Sequence, residues 1–473
     1  MRNATLLMRA FLKTKINSIM NQQPNNRAQF ATRLGVIATT VGSAVGLGNI
    51  WRFPYEAGNN GGGAFLVCYL LCIVILGIPV LCAEFAIGRS THSNIFGAFR
   101  QIKTSGKWHW IGYIGILASL MILSFYSVVA GWTMEYLYQS LTGGLNLSGA
   151  EAFHNQFTSF STGNWRPILW TVIFLLCNYI IVVRGVKKGI EKMSNIMMPA
   201  LFVLLIIFCV NSLMMPKAQD GLIFLFSPDF SKITPEVVVS ALGQAFFSLS
   251  LGLGTMMTYG SYFSKGTRIV RSATITASLD TLVAILAGII IFPAVFSFGM
   301  SPVQGPALVF EVLPSIFAQM PGAQLWSILF FFLLFLASLT STISMSEVSI
   351  AFLSEEKKMS RTKASTVNLI IALCGGVLSA LSFGYLSDLN FFGLFDINFF
   401  SFFDFTSSNI LLPLGGMLIS IFAGWRLERY ALKNVLTNEG KIGVKTFPLL
   451  VFCLKFVAPI AILLIFLFGL NLF

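Results

Sequence analysis

Glycine and small polar residues concentrate in two otherwise apolar stretches of this chain. The first reads Gly42-Ser43-Ala44-Val45-Gly46-Leu47-Gly48-Asn49, with three glycines and an asparagine; the second reads Ser248-Leu249-Ser250-Leu251-Gly252-Leu253-Gly254. Helix is poorly held in such runs, and unwound backbone presents carbonyl oxygens, which suit hard cations and carry no formal charge. Asp280 stands in the apolar run Ala277–Pro293, where a carboxylate without a partner is costly and marks a candidate site. Thr340 and Ser341 place two adjacent hydroxyls in a third apolar stretch; they serve either as further oxygen ligands or as bonds back to their own helix. Ion and ligand binding in a cavity is the chemistry this set offers. Close helix packing is the alternative for the glycines, and a structural or proton-carrying role the alternative for Asp280.

The elements that hold these residues follow from composition. Of 473 residues, 56% are hydrophobic and 10% charged, against about a quarter charged in a soluble domain. The chain therefore uses lipid as solvent, and windows of about 20 apolar residues mark its spans. Eleven are expected: 33–55, 65–88, 110–139, 166–184, 194–213, 238–263, 272–299, 324–353, 366–383, 405–425 and 447–471. With the N-terminus inside, six cytoplasmic segments take 26 of the 31 Lys and Arg residues. The +13 net charge is thus topology, by the positive-inside rule. The C-terminus falls outside. Nucleic-acid binding is excluded, because the basic residues never form one face.

The two glycine-rich runs lie in the first and sixth expected spans, five apart. Five is odd, so the two halves insert with opposite topology, as an inverted repeat requires. Corresponding broken helices in inverted halves point to the substrate site of a transporter. Unwound backbone at that depth is tolerated only where it lines a cavity or is buried in protein. The division expected is a cytoplasmic segment 1–32, a first repeat 33–213, an external loop 214–237, a second repeat 238–425, and a cytoplasmic loop with the last helix, 426–473.

Other features carry less. Asn60-Gly61-Gly62-Gly63 reads as a tight external turn, since no Lys-Ser/Thr follows to make it a phosphate loop. Four prolines between Ser301 and Pro321 suggest an ordered external loop. Gly189 and Pro199 frame the start of the fifth span, allowing either local unwinding or a kink. Cys68, Cys72, Cys82, Cys177, Cys209, Cys374 and Cys453 all lie in apolar spans at no metal-binding spacing and read as core filler; His92, His109 and His154 are scattered. Residues 1–26 show no leader-peptide pattern; they read as an interfacial helix, or as upstream of a true start at Met20.

At this point the residues become recognisable. Ala44-Val45-Gly46-Leu47-Gly48-Asn49-Ile50-Trp51-Arg52-Phe53-Pro54 with Asn60-Gly61-Gly62-Gly63-Ala64-Phe65 resembles the signature of the neurotransmitter:sodium symporter family. Gly243-Gln244-Ala245-Phe246-Phe247-Ser248-Leu249-Ser250 resembles its sixth-helix motif, and Ala337-Ser338-Leu339-Thr340-Ser341 its eighth. The resemblance runs from about Arg27 to the last span, and eleven spans resemble the family's bacterial branch. It implies an all-α integral membrane protein of the leucine-transporter-like fold, with a 5+5 inverted repeat and broken helices 1 and 6. It also implies a sodium-coupled symporter of the bacterial inner membrane that works by alternating access.

By this resemblance a first sodium would be held by the Ala44 carbonyl, Asn49, Ser248 and Asp280. A second would use the carbonyls of Gly42, Val45 and Ala337 with the hydroxyls of Thr340 and Ser341. Many family members carry Asn at the Asp280 place, and some chloride-independent ones place a carboxylate four residues on, where this chain has Ala284. Asp280 would then supply the negative charge, so chloride is not required. Monoamine carriers have an aspartate at the Gly46 place; glycine there leaves room for a substrate carboxylate near the first sodium, favoured by unwound amides and met by the Tyr126 hydroxyl. Sharing that contact couples ion and substrate reciprocally. The chamber implied comprises Ala44, Gly46, Leu47, Gly48, Ile122, Tyr126, Phe247, Ser248, Ser250, Leu253, Ser341 and Met345. Its apolar lining suits a neutral aliphatic or aromatic amino acid.

Gates complete the picture the resemblance implies. Arg52, Tyr126, Phe247 and Asp404 would close the outer side; Arg27, Ser261, Tyr262, Glu347 and Glu355 would form the inner gate. The family's usual residues at the Glu355 and Glu347 places are Asp and Gln, which leaves the inner charge balance open. Arg27 and Glu355 as a plain surface pair is the alternative. Each inward sodium gains roughly 2.3 kcal/mol per 100 mV. Competing readings are a transport-dead amino-acid sensor and an ion channel. No catalytic or cofactor pattern appears, so an enzyme is not expected, and the sequence leaves oligomeric state open.

Overall fold

The apolar windows fold as helices because lipid offers no partner for backbone N–H and C=O, and a helix satisfies them within one segment. The computed structural model describes residues 27–102, 106–300, 308–387, 398–427, 429–441, 443 and 445–470. Among them every regular element is helical. The questions raised about residues 1–26, and the first part of the 301–321 loop, fall outside the described residues.

Thirteen segments organise the fold. They are α1 (Arg33–Ala44), α2 (Gly48–Asn59), α3 (Gly63–Thr91), α4 (Trp110–Thr142), α5 (Arg166–Val182), α6 (Val186–Leu213) and α7 (Pro235–Ser248). The rest are α8 (Thr255–Gly260), α9 (Ile269–Ser297), α10 (Ala323–Glu355), α11 (Arg361–Leu381), α12 (Phe399–Arg426) and α13 (Phe447–Gly469). Among the described residues, eight of these (α3, α4, α6 and α9 to α13) are long and apolar enough to cross a membrane. The other expected spans fall on α5 and on the two interrupted pairs, α1–α2 and α7–α8.

Both interruptions have a local cause. α1 starts with a Thr32 cap, its hydroxyl accepting the Gly35 N–H at 2.8 Å, and ends where Val45 turns extended. α2 then leaves at 53°. Between α7 and α8, Ser250, Gly252 and Gly254 all adopt positive φ, at 53°, 83° and 80°. Two glycines make that path cheap, whereas Ser250 takes it at a cost. The Asn60–Gly62 turn is equally forced: Gly61 and Gly62 have positive φ, and a Cβ on Gly62 would meet the Phe224 carbonyl at 2.2 Å.

α4 packs along α10, α5 and α11, while α1 is enclosed by α6, α9 and α10. α3 lies against both α7 and α8, and α12 against α13. The broken segments are therefore interior. Leu71 and Val74 of α3, Ile206 and Val210 of α6, and Ile460 of α13 point outward and are exposed, as a lipid-facing surface demands.

Two expectations change. α6 runs through Pro199 without unwinding, after a π-helical turn at Val186–Glu191. Gly189 serves close packing there, since a Cβ would lie 2.1 Å from the Ile181 carbonyl. Of the cysteines, all free, five are buried, Cys177 is half-buried and Cys374 is exposed on α11. Core filling therefore does not describe Cys374.

Candidate functional site

The unwound end of α1 is tied to α7 and α9 through Asn49. Its side-chain N–H donates to the Asp280 carboxylate at 2.8 Å, the Ser248 hydroxyl at 3.0 Å and the Asp280 carbonyl at 3.1 Å. Its amide oxygen accepts the Gly46 N–H at 3.0 Å, and the Ser248 hydroxyl donates to the other Asp280 oxygen at 2.6 Å. Asp280 is wholly buried and carries this cluster's one formal charge. Asn49, Ser248 and Asp280, all proposed for the first sodium, thus meet in one knot beside Ala44.

A second group of oxygens forms where α1 touches α10. The Ser341 hydroxyl donates to the Val45 carbonyl at 3.0 Å, and the Thr340 hydroxyl reaches the Ala337 carbonyl at 3.0 Å and the Leu336 carbonyl at 3.2 Å. A Cβ on Gly42 would lie 3.4 Å from Thr340 Cβ, which shows how closely the helices approach. The second set is oxygen throughout and carries no formal charge, as suits a hard cation, whereas in the first Asn49 turns its side-chain N–H to Ser248 and Asp280 and its oxygen to the Gly46 N–H. Thr340 and Ser341 divide the two alternatives: Thr340 bonds to its own helix, and Ser341 bridges to α1.

Between these clusters lies a small cavity. Its lining contains Ala44, Gly46, Gly48, Ile122, Tyr126, Phe247, Ser248, Ser250, Leu253, Ser341 and Met345, together with Leu412 of α12. Leu47 is buried but is not part of the lining; its N–H donates to the Tyr126 hydroxyl at 2.9 Å. No charged side chain faces the cavity. Gly46 has no room for one: a Cβ there would come within 2.4 Å of the Ser341 hydroxyl and 2.9 Å of that of Tyr126.

Towards one end of the molecule, Arg52 pairs with Glu56 one turn along its own helix at 3.4 Å. Its guanidinium also sits 4.6 Å from the centre of the Phe247 ring. Asp404 accepts from Ser408 of its own helix at 2.9 Å. Arg52 and Asp404 thus form no ion pair in this structure. The Arg52 side chain is 35% exposed and extends over Phe247.

The opposite end is laced together. Arg27 pairs with Glu355 and lies over the Tyr262 ring at 4.7 Å. The Tyr262 hydroxyl donates to Glu347 at 2.6 Å. Ser261 joins through its backbone, its carbonyl accepting from His92 Nδ1 at 3.0 Å, while its hydroxyl returns to Thr258. His92 lies beyond the α3 span; burial holds its pKa below the usual histidine value, with Arg27, Arg89 and Lys265 adding to the effect.

Several functional side chains here escape sequence reasoning. Arg361 donates to both oxygens of the wholly buried Glu347, at 2.7 and 2.5 Å, which answers the question of charge balance. Glu191 of α6 accepts the N–H groups of Ala31 and Thr32 at 2.8 and 3.0 Å. Glu84 of α3, also wholly buried, accepts the Gly252 N–H at 2.8 Å and so holds the unwound segment. The criterion that singled out Asp280, a carboxylate in an apolar run, also finds Glu84. Arg361 and Leu412 give no such signal, because one depends on the turn between α10 and α11 and the other on a π-helical turn in α12.

Paired broken helices around an uncharged chamber, with two oxygen clusters at its edge, define a class: a multi-pass membrane symporter, not an enzyme. The comparisons with known proteins agree. The chain matches the Sodium:neurotransmitter symporter family over residues 27–164 and 150–473. It is 39% identical to an uncharacterized sodium-dependent transporter, YhdH, of Bacillus subtilis, covering 93% of this chain and 97% of that one. It is 36% identical to an uncharacterized sodium-dependent transporter of Haemophilus influenzae, covering 94% and 99%. Among solved structures it is similar to the crystal structure of MhsT in complex with L-phenylalanine, at 44% identity and a TM-score of 0.86 over 93% of this chain and 99% of that one. The chain belongs to the sodium:neurotransmitter symporter family and is a sodium-dependent symporter of the leucine-transporter-like fold.

Proposed function

We propose that the chain imports a neutral, hydrophobic or aromatic amino acid together with two sodium ions, without chloride. The uncharged chamber beside the two oxygen clusters carries this reading. Its polar rim, from Gly46, Gly48, Tyr126, Ser248 and Ser341, suits an amino acid's charged backbone groups; Ile122, Phe247, Leu253 and Met345 suit an apolar side chain. MhsT, which has been crystallised with L-phenylalanine, supports this substrate class. Asp280, buried in the first oxygen cluster, provides the anion that would otherwise have to come from solution. The same reading assigns roles to the remaining residues: Ala44 and Asn49 at the first sodium, Gly42, Val45, Ala337 and Thr340 at the second.

The reading extends to topology. Eleven crossings of a bacterial inner membrane put the N-terminus in the cytoplasm and the C-terminus outside. Residues 33–213 and 238–425 are the inverted repeats, and alternating access moves one set of helices against the other. The Arg27–Glu347 end then faces the cytoplasm and the Arg52–Asp404 end faces out.

Uptake into proteoliposomes tests this directly. Each standard amino acid is offered with and without an inward sodium gradient, and then with chloride replaced by gluconate. Sodium-driven, saturable uptake of large neutral amino acids, unchanged in gluconate, is expected. No sodium-stimulated uptake of any amino acid would overturn the substrate class, and uptake that rises with chloride at fixed sodium would overturn chloride independence.

A further inference from the structure

The chamber has a wall from a helix outside the motifs that first marked the site. Leu412 of α12 lines the cavity and is 2% exposed. It follows a π-helical turn, Thr406–Leu411, and precedes Pro413, which has no N–H to donate. One extra residue in a turn rotates everything downstream by about 100°, and this brings Leu412 round to face the chamber.

Its position is fixed by backbone against backbone. A Cβ on Gly252 would lie 2.4 Å from the Leu412 carbonyl and 2.7 Å from the Gly416 N. One on Gly415 would lie 2.6 Å from the Gly252 carbonyl, and one on Gly416 2.0 Å from the Phe246 ring. α12 therefore rests directly on the unwound segment between α7 and α8, and the wall cannot recede. Met345, the facing apolar residue on α10, is unbranched and adapts to what it touches. Leu412 is branched and held by its own backbone.

We propose that Leu412 sets the upper size limit of the substrate side chain; the inference rests on the chamber being the amino-acid site. The polar residues of the rim hold the part common to all amino acids, so a change at Leu412 alters discrimination among side chains and leaves sodium activation alone. One methylene more or less in an apolar pocket changes discrimination by about 10- to 200-fold.

The experiment uses the full-length protein in proteoliposomes, comparing wild type with Leu412→Ala and Leu412→Phe. Alanine, leucine, phenylalanine and tryptophan compete against the best labelled wild-type substrate. Leu412→Ala is expected to raise the kcat/KM for tryptophan relative to leucine about tenfold or more, and Leu412→Phe to shift preference towards alanine. Half-saturating sodium stays at the wild-type value in both. Sodium-dependent thermal stabilisation in detergent verifies folding, and Leu412→Val replaces any variant that lacks it. Folded variants that keep the wild-type ranking of the four amino acids overturn this inference alone. A wild-type protein that transports none of them overturns the chamber reading and this inference with it.

Discussion

The two ends of the molecule use charge in different ways. At the end with the N-terminal segment, bonds cross between helices: Glu347 of α10 joins Tyr262 to Arg361, Glu355 joins Arg27 to the Asn94 N–H at 2.8 Å, and Glu191 of α6 holds the chain entering α1. At the other end Arg52 and Asp404 each bond within their own helix. Bonds between helices must break before those helices part, whereas bonds within a helix travel with it. The end with the N-terminal segment is thus held by charges that cross between helices, whereas at the other end Arg52 and Asp404 do not meet, although Glu135 of α4 is held there by Arg166 and Trp170 of α5. With the orientation proposed above, the crossing bonds lie at the cytoplasmic end.

The largest effect should come from breaking the lock at its most buried point. Arg361→Ala leaves the wholly buried Glu347 carboxylate without its cationic partner. Removing one member of such a pair costs about 3–5 kcal/mol. A cysteine at the buried Ser261 position should then label far faster in detergent, and adding Glu347→Gln should restore most of the protection by removing the stranded charge. Labelling at the unmodified rate in Arg361→Ala would show that this pair does not hold the end closed.

Glu191 should come next. Hydrogen bonds to a charged group contribute about 1.5–3 kcal/mol, and Glu191→Ala strands the N–H groups of both Ala31 and Thr32. Gly35→Ala should act in the same direction, since its Cβ would fall 1.9 Å from a Glu191 oxygen. Faster labelling at the Ser261 position in both variants is the expected result. An effect in neither would place the lock entirely on Glu347 and Glu355.

The lock also shows where sequence reasoning stops. The glycine runs at Gly42–Asn49 and Ser248–Gly254 were legible because they violate helix propensity in apolar surroundings, and the structure unwinds there. Asp280 was legible because it is a carboxylate in an apolar run. Arg361 was not: in sequence it is one basic residue among four in Lys357–Lys363 and is sufficiently explained by topology. Its bidentate contact depends on the turn between α10 and α11, which brings it back alongside Glu347. Leu412 was hidden for a similar reason, since its facing depends on a π-helical turn that no residue pattern announces. The Arg52–Asp404 pair illustrates the reverse case: sequence supplied both partners but could not say which conformation would join them.

That pair gives the sharpest test of the contrast between the ends. Arg52→Gln and Asp404→Asn should each change thermal stability by less than about 1 kcal/mol, as for partly exposed charges. A double-mutant cycle on stability should show only weak coupling, because the two side chains do not bond in this structure. The same cycle on uptake should be strongly non-additive if the Arg52–Asp404 end closes through them. Strong coupling in stability itself would mean the charges are already joined.

The smallest effect should be the pH dependence of the locked end. Its source is His92, whose Nδ1 must carry the proton, because a carbonyl such as that of Ser261 can only accept. Burial and three neighbouring cations, Arg27, Arg89 and Lys265, hold this histidine below its ordinary pKa, so the closed form prefers it neutral. Opening the end exposes the ring and returns it towards about 6.5. The open form then binds the proton more readily, and acid favours opening. Above the ordinary histidine range the closed end keeps its full stability, and it loses part of it as pH falls through about 6.5 towards the depressed closed-state value. Labelling of a cysteine at the Ser261 position, corrected for thiol reactivity, should therefore rise modestly between pH 8 and pH 5.5. His92→Asn should flatten that rise. A rise that persists undiminished in His92→Asn would show that this histidine is not the source of the acid sensitivity.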